Sequence, residues 1–324
     1  MGAKMSSQIK KPVLCFGLTP VLQRTLVFDK LVLDDVNRAR KAIESAAGKA
    51  INTARALVTL GTDACVAGFN GGESGRKVSA FIRSYGVKNR LTAMRKPTRI
   101  CTTLLSDADN KATELVEEAP DPGRTSCKLF RTENLKNIAK SSLLAISGTL
   151  PPFADDDFYV EFAREAHRVG VPLMIDSHRT ALINVVFERP LLAKLNAYEL
   201  SVTLGEPMNT ERRILQGMRD LLVMGAQNVL VTQGRGQAYL RNNRGVWRFT
   251  PPPVEHRVSA IGSGDCMLAG IIHAYLSGKG LLVAVRYGMA CGSANVESVI
   301  PADIDRKRVQ ALFRLAKAEK VTAV

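Results

Sequence analysis

Short apolar runs alternate with amphipathic stretches along most of the 324-residue chain. The runs have the length and composition of buried strands, and the stretches between them carry apolar residues at helical spacing. The pattern predicts strands at Val13–Phe16, Ala64–Phe69, Leu143–Ile146, Leu173–Ile175 and Val229–Val231, and helices at Ile51–Leu60, Gly75–Tyr85, Asp156–Val169, Glu211–Met224, Gly264–Leu276 and Ile304–Lys320. This alternation predicts an α/β fold in which helices cover both faces of a mostly parallel sheet.

Two stretches break the alternation. Arg24–Val36 and Thr92–Glu118 are rich in Thr, Val, Leu and charged residues, as expected of strands with one polar face. We therefore predict a small second sheet made of residues 24–38 and 92–119. Residues 12–23, 39–91 and 120–320 would form the α/β core.

Composition narrows the class of protein. No apolar run is long enough to span a bilayer, and the chain does not open with a signal-peptide pattern. The six cysteines are scattered without Cys-x-x-Cys spacing, and the four histidines lack metal-ligand spacing. Reduced thiols in a cytoplasmic protein are the expectation.

The formal charge of +15 is open to two interpretations. It suits a nucleic-acid-binding protein or an enzyme of anionic substrates. The cations are spread along the chain, however, and aromatic residues make up only 6% of it, which argues against a base-stacking surface.

The segment Gly262-Ser263-Gly264-Asp265 carries the clearest chemical signal, because an apolar helical run follows it at once. A glycine turn at a helix N-terminus leaves backbone N–H groups free to bind an anion, and a carboxylate beside them can take a proton from a hydroxyl. This combination suggests phosphoryl transfer to an alcohol. The alternative is a tight turn with an acidic residue in the first helical turn.

Polar clusters follow several predicted strands. Ser147-Gly148, Asp176-Ser177 and Thr232-Gln-Gly234 each come where a strand ends. Ligands of open α/β sheets bind beyond the carboxyl ends of the strands, so these loops together outline one crevice.

Three further groups could serve such a site. Gly48-Lys49, with Asn52, opens a helix and offers close backbone approach, a charge and an amide. Arg99 could clamp a phosphate, or could be a solvated strand cation. Asn196 and Glu199 suit Mg²⁺ held with its waters, and they equally suit a helix capping box.

In chain order, these segments resemble the PfkB family of carbohydrate kinases, which has a ribokinase-like fold. The hexose-phosphate branch, 1-phosphofructokinase and tagatose-6-phosphate kinase, is the most similar. The resemblance covers about residues 12 to 318. It is carried by Gly262–Asp265, by Gly48, Lys49 and Asn52, and by Val36-Asn-Arg38, Thr98-Arg99, Thr113-Glu114, Ser147–Pro151 and Lys194-x-Asn196-x-x-Glu199.

The resemblance implies roles for these residues. Asp265 would be the catalytic base, and Gly262, Ser263 and Gly264 would form the anion hole. The sugar phosphate would contact Gln23, Arg38, Gly48, Lys49, Asn52, Arg99 and Ser147. ATP would contact Lys194, Asn196, Thr232, Gly234, Gly264, Cys291 and Asn295, and Asn196 and Glu199 would hold Mg²⁺ through water. The small sheet would be the family's lid, through which a homodimer could form.

The chain departs from the family pattern in the sugar site. Gln23 stands where the family has an aspartate that binds sugar hydroxyls, and Ala47 and Ala50 replace glycines. We expect the amide to present its NH₂ donor to the sugar, and the added methyl groups to narrow the approach of the backbone to the ligand.

The resulting expectation is an ATP- and Mg²⁺-dependent kinase of a phosphorylated ketohexose. Two alternatives stay open at this point. One is a kinase of the same family that acts on an unphosphorylated sugar or a nucleoside. The other is a non-catalytic, basic binding protein derived from a kinase.

Overall fold

The computed structural model describes residues 11–109 and 111–321. Within them, sixteen strands form: β1 Val13–Phe16, β2 Val21–Phe28, β3 Lys41–Ala47, β4 Ala64–Ala67, β5 Phe69–Asn70, β6 Lys88–Asn89, β7 Thr92–Ala93, β8 Ile100–Ser106, β9 Lys111–Val116, β10 Leu143–Ser147, β11 Leu173–Asp176, β12 Leu192–Asn196, β13 Asn228–Thr232, β14 Ala238–Asn242, β15 Gly245–Thr250 and β16 Lys317–Val321. The ten helices of this part of the chain are α1 Lys49–Leu60, α2 Gly72–Ser84, α3 Arg124–Ile138, α4 Val160–Arg168, α5 Thr180–Val186, α6 Ala197–Leu204, α7 Glu211–Met224, α8 Ser263–Leu276, α9 Leu281–Asn295 and α10 Arg306–Leu315.

A ten-stranded sheet forms the centre of the molecule, in the order β16-β15-β14-β13-β12-β11-β10-β1-β4-β6. The pairings from β13 through to β6 are parallel, and those among β13, β14, β15 and β16 are antiparallel. The prediction of an α/β fold with a mostly parallel sheet is therefore confirmed.

Helices cover both faces of this sheet, and β1 shows how its residues are shared between them. Val13 and Cys15 belong to a buried cluster that includes residues of α1, α2, α8, α9 and α10. Leu14 and Phe16 point to the other face, into a cluster with residues of α3 to α7. Such continuously apolar strands are typical of parallel strands buried on both sides.

A second sheet of four strands, in the order β3-β2-β8-β9, lies beside the core. It is larger than the sequence predicted. The strand β3 was assigned to the core, but it pairs antiparallel with β2. Conversely, the strand in the first predicted stretch already ends at Phe28, so residues 29–36 contain no strand.

The end of the chain also differs from the prediction. The expected helix Ile304–Lys320 is shorter, since α10 ends at Leu315 and the next residues form β16, which pairs with β15. Ala316 has extended backbone angles (φ −66°, ψ 133°), which end the helix.

No helix among the described residues is both long and apolar enough to cross a membrane.

Candidate active site

A cleft of about 1560 Å³ lies at the carboxyl ends of the parallel strands, beside the four-stranded sheet. The wall of this cleft contains most of the residues that the sequence analysis singled out. They are Gln23, Gly48, Lys49, Asn52, Arg99, Lys194, Asn196, Glu199, Thr232, Gly234, Gly262, Ser263, Gly264 and Asp265. The position agrees with the general rule for ligand sites in open α/β sheets.

The glycine turn opens α8 in the manner expected of an anion site. Gly262 adopts a left-handed conformation (φ 82°, ψ −4°), and α8 begins at Ser263. The backbone N–H groups of Gly264 and Asp265 make no hydrogen bond to any described backbone group. A Cβ on Gly264 would lie 3.4 Å from the ammonium nitrogen of Lys194. Free N–H groups, the helix dipole and this cation thus meet at one point.

The carboxylate of Asp265 is buried beside this turn, with only 6% of the residue exposed. Asn52 donates a hydrogen bond from Nδ2 to Asp265 Oδ2 at 2.8 Å. Burial raises the pKa of Asp265 to about 6, although the charge of Lys49 and the Asn52 hydrogen bond act in the opposite direction. A carboxylate tuned in this way can accept a proton near neutral pH.

The two lysines of the cleft share one buried partner, Asp176, at the end of β11. Lys194 forms a short ion pair with Asp176 Oδ2, and Lys49 Nζ donates to Asp176 Oδ1 at 3.2 Å. Burial alone would raise the pKa of Asp176, but Lys194 and Lys49 outweigh it and lower the pKa to about 2. Asp176 is thereby kept ionised, and it holds both cations in the cleft.

Sequence reasoning placed Asp176 at the crevice but gave it no role. Its position directly after a buried strand was the available signal. The pairing with Lys194 and Lys49 joins residues 18 and 127 positions apart, and no sequence spacing encodes it.

Asn196 and Glu199 form the capping box of α6. The Asn196 side chain accepts from Glu199 N at 2.8 Å, and the Glu199 side chain accepts from Asn196 N at 2.8 Å. The other carboxylate oxygen of Glu199 lies 3.6 Å from Lys49 Nζ and 3.6 Å from His178 Nδ1. Among the described residues, no cluster of three or more His, Cys, Asp or Glu side chains has the geometry of a metal site.

A smaller cavity of about 220 Å³ adjoins the cleft and shares Gly48, Lys49, Arg99 and Glu199 with it. We call it the small pocket. The rest of its wall consists of Gly17, Thr19, Pro20, Ala50, Ile51, Ser147, Gly148, Thr149 and His178. The predicted substrate residue Ser147 lies here, buried and with its hydroxyl lacking a hydrogen-bond partner among the described residues.

Arg99 reaches both cavities while tying the second sheet to the core. Its guanidinium donates to the Glu117 carbonyl at 3.0 Å, and to the Thr19 carbonyl and hydroxyl at 3.2 and 3.1 Å. Thr19 follows β1 of the core, whereas Arg99 and Glu117 flank β8 and β9.

Three of the predicted site residues are not brought to either cavity. Arg38 is exposed in the segment between β2 and β3 and lines neither of them. Cys291 is fully buried and packs against α8. A Cβ added to Gly270 of α8 would lie only 2.6 Å from the Cys291 sulfur. Asn295 uses its amide to donate to the Ile261 carbonyl and to Ser263 Oγ.

The placement of Cys291 and Asn295 follows from the period of α9. Met289, Gly292, Ser293 and Val296 line the cleft, at spacings of three and four residues. Cys291 and Asn295 share the opposite face, which packs on α8. Asn295 therefore holds the glycine turn through its hydrogen bonds to Ile261 and Ser263 and does not line the cleft.

The amide of Gln23 is oriented by its neighbours. Its Nε2 donates to Thr103 Oγ1 at 2.8 Å and to the Arg24 carbonyl at 3.3 Å. A carbonyl can only accept, so the NH₂ group must face these partners. The expectation that the donor end faces the sugar is therefore wrong, and the oxygen is the end left for a ligand.

The methyl group that Ala50 adds lies in the wall of the small pocket, against the glycine after β1. A Cβ added to this glycine, Gly17, would lie only 2.6 Å from Ala50 Cβ. The glycine after β1 thus makes room for the added methyl group.

Comparisons with known proteins agree with this geometry. The model of the pfkB family of carbohydrate kinases matches residues 10–304. A 1-phosphofructokinase of Borreliella burgdorferi is 28% identical over 278 residues, which is 86% of this chain and 89% of that protein.

Solved structures share the fold. The "possible 1-phosphofructokinase" of Thermotoga maritima superposes with a TM-score of 0.88 at 21% identity, covering 96% of this chain and 99% of that one. Arabidopsis thaliana ribokinase, complexed with ribose and ATP, superposes with a TM-score of 0.77 at 19% identity, covering 94% and 99%. The predicted ribokinase-like fold is confirmed.

Proposed function

The chain belongs to the pfkB family of carbohydrate kinases, and we propose that it transfers the γ-phosphoryl group of ATP to a hydroxyl of a phosphorylated ketohexose, with Asp265 as the general base. The observation that carries this proposal is the pairing of a buried carboxylate with free backbone N–H groups. Asp265, with a pKa near 6, lies in the first turn of α8, whose N-terminus is open to the cleft. Phosphoryl transfer to an alcohol requires a proton acceptor and an anion site next to each other.

In this mechanism the sugar hydroxyl lies beside Asp265, which accepts its proton as the oxygen attacks the γ-phosphorus. The bond from the γ-phosphorus to the bridging oxygen of ATP breaks, and ADP leaves. Negative charge on the transferring group is stabilised by the N–H groups of Gly264 and Asp265 and by Lys194. Asn52 fixes the orientation of the Asp265 carboxylate through its hydrogen bond.

We expect ATP to lie along Thr232 and Gly234 after β13 and along Met289, Gly292, Ser293 and Val296 at the end of α9, all of which line the cleft. Mg²⁺ would neutralise charge on the nucleotide phosphates when bound. Because the capping box occupies one oxygen each of Asn196 and Glu199, these residues suit a Mg²⁺ ion held through its waters rather than by direct ligation.

A phosphorylated acceptor is supported by two points. The Borreliella burgdorferi relative is named 1-phosphofructokinase. In addition, the small pocket next to the cleft carries Lys49, Arg99 and the unpartnered hydroxyl of Ser147, which can serve the phosphate already on the sugar.

The experiment is an ADP-release assay with ATP and Mg²⁺ over matched pairs of acceptors. Each phosphorylated ketohexose is tested beside its dephosphorylated sugar, with nucleosides included. Turnover of at least one phosphosugar with kcat/KM about 100-fold above its unphosphorylated partner is expected, since charge-assisted hydrogen bonds contribute roughly 1.5–3 kcal/mol each. Preference for an unphosphorylated sugar or a nucleoside would contradict the acceptor proposal, and no turnover of any acceptor would favour the non-catalytic alternative.

The second sheet would also be the surface of a homodimer. Its edge strand β9 is exposed along its whole length. Leu115, on the face of β9 opposite to the cleft-lining Val116, is 54% exposed. Leu33 and Val36, between β2 and β3, are 87% and 74% exposed. Exposed apolar side chains on an unpaired edge favour association with a second copy of the chain. A cytoplasmic location remains a prediction, based on six cysteines that are all free thiols.

A further inference from the structure

His178 lies at the wall of the small pocket, two residues after the end of β11. The pocket wall also contains Ser147, Thr149, Lys49 and Arg99. The His178 side chain is only 20% exposed, so the imidazole is part of the wall and does not extend into solvent.

The imidazole of His178 makes no hydrogen bond to any described residue. Its Nδ1 is buried without a partner, and the nearest carboxylate oxygen, on Glu199, is 3.6 Å away, too far for a hydrogen bond. By contrast, the half-buried His273 has Thr62 Oγ1 at 2.7 Å from its Nδ1. A buried ring nitrogen without a partner at a pocket wall is explained when a ligand supplies that partner.

The backbone next to His178 is held in a costly conformation. Arg179 has φ 56° and ψ −147°, a strained region that non-glycine residues rarely adopt. Arg179 N donates to Thr203 Oγ1 at 2.9 Å, and its carbonyl accepts from the first turn of α5. These bonds fix the chain directly after His178, so the imidazole is held towards the pocket.

The other polar groups of the small pocket are mainly donors. Lys49 and Arg99 are cations, and the Ser147 hydroxyl is unpartnered. The Thr149 N–H makes no hydrogen bond to a described backbone group. The one carboxylate of the wall, Glu199, faces Lys49 at 3.6 Å. A ligand group rich in acceptor oxygens, such as a phosphate, therefore fits this pocket.

We propose that His178 is a substrate-binding residue that donates a hydrogen bond to the phosphate of the acceptor sugar in the small pocket. It thereby contributes to the preference for phosphorylated over unphosphorylated acceptors. This inference rests on the proposed function, because the small pocket shares Lys49 with the cleft, and the sugar would extend from the pocket towards Asp265.

The test compares His178→Leu, which removes both ring nitrogens, with His178→Gln, which retains an NH₂ donor. The control is His167→Leu, on the exposed surface of α4. KM for the best phosphosugar, KM for ATP and kcat are measured for each protein. Binding of inorganic phosphate is measured by calorimetry, independently of turnover.

We expect His178→Leu to raise KM for the phosphosugar and Kd for inorganic phosphate about tenfold. KM for ATP and kcat should change less than twofold, and His178→Gln should recover most of the loss. A change below twofold in both the phosphosugar KM and the phosphate Kd would overturn the inference. So would an equal rise in KM for ATP, or a Gln variant no better than the Leu variant.

The two proposals fail separately. A wild-type protein that turns over phosphosugars but is insensitive to His178→Leu overturns only the role of His178. Inorganic phosphate that binds the wild-type protein and binds His178→Leu more weakly would support the anion site. If the wild-type protein then turned over no phosphosugar, the proposed function would be overturned. A wild-type protein with neither property overturns both.

Discussion

At the scale of single residues, the site is defined by groups whose usual properties are changed by burial. Asp265 and Asp176 are both buried carboxylates, yet their pKa values move in opposite directions, to about 6 and about 2. The difference arises because Asp176 forms ion pairs with both lysines, which outweigh its burial. At Asp265, burial and the nearby charge of Asp176 outweigh the charge of Lys49 and the Asn52 hydrogen bond. One carboxylate can therefore accept a proton near neutral pH, and the other stays ionised.

The proposed role of Asp265 as the base predicts the pH dependence of activity, because burial raises the pKa of this group. The base must be ionised to accept a proton, so kcat/KM should be level above pH 6 and fall about tenfold per pH unit below it. An aspartate with its ordinary pKa near 3.8 would keep the rate level down to about pH 4. A pH–rate profile on wild-type protein distinguishes the two, provided that circular dichroism shows the fold intact at each pH. A break near pH 4 would show that burial does not tune this group.

We expect a substitution of Gln23 to change the selectivity between sugar phosphates more than a substitution elsewhere in the site. We expect weak turnover of fructose 1-phosphate and tagatose 6-phosphate by the native chain, and a gain in kcat/KM of about tenfold on at least one of them for Gln23→Asp. A carboxylate accepts hydroxyl hydrogen bonds more strongly than an amide oxygen, and Thr103, now the partner of the amide, can donate to it.

The matched control is Gln23→Asn, which shortens the side chain equally without adding charge. Strong native activity on either sugar phosphate, unchanged in both variants, would mean that Gln23 only bridges β2 and β8 and contacts no ligand.

The sequence identified the chemistry of the individual residues but not the orientation of all of their side chains. Gly262–Asp265, Lys49 and Asn52 could be assigned to one site because their motifs combine small residues with charges at a helix start. The inward direction of Asn295, the orientation of the Gln23 amide and the partnership of Asp176 with two lysines depend on packing between elements distant in the chain. Patterns within a short stretch of sequence do not predict such packing.

At the scale of helices and strands, the periodic segments were predictable and their ends were not. Strands such as Val13–Phe16 are marked by uninterrupted apolar residues. The transition from α10 to β16 is not marked in this way, because Ala316 fits either element and Lys317–Lys320 continue the same basic composition. Pairing with β15 decides in favour of the strand there.

The contact between the end of β1 and the start of α1 provides an element-scale prediction. Gly17→Ala should destabilise the protein by about 1–3 kcal/mol, because its Cβ would lie 2.6 Å from Ala50 Cβ. Ala50→Gly removes that obstacle, so the double variant should recover most of the loss. Urea unfolding of the four proteins of this double-mutant cycle gives the coupling energy.

A coupling energy near zero would mean that the two methyl groups do not compete for the same space. The loss in Gly17→Ala would then come from its next contacts, the Ala50 nitrogen and the Ser147 carbonyl, each 3.3 Å from the added carbon.

At the scale of the whole molecule, two sheets meet at one cleft, and Arg99 links them. The sequence predicted both sheets, but it underestimated the second one, because β3 precedes the Gly48 turn and its exposed residues resemble a loop. The charge of +15 is also a property of this scale. Within the cleft, Asp176 and Glu199 offset Lys49 and Lys194, so the excess charge lies mainly elsewhere.

The apolar surface of the second sheet predicts a dimer. Light scattering after size exclusion should give twice the chain mass of 35.2 kDa at micromolar concentration. Leu33→Glu and Leu115→Glu should each shift the protein towards the monomer, since each places a charge on the proposed contact surface.

Val223→Glu, on the exposed face of α7 and 79% exposed, is the control for added charge alone. A wild-type monomer, or equal dissociation in all three variants, would remove the second sheet as the interface.

The proposed role of Asp265 is to take the proton of the acceptor hydroxyl in a phosphoryl transfer from ATP. Its most direct test is the turnover of Asp265→Asn on the best phosphosugar, beside binding of ATP and of that phosphosugar to the same variant. Asparagine keeps the size and the neighbouring contacts but cannot take a proton. We predict a fall in kcat of about 10²–10⁴-fold with both dissociation constants within about threefold of wild type. A variant that folds, binds both ligands and retains half of the wild-type kcat would contradict the assignment of Asp265 as the base.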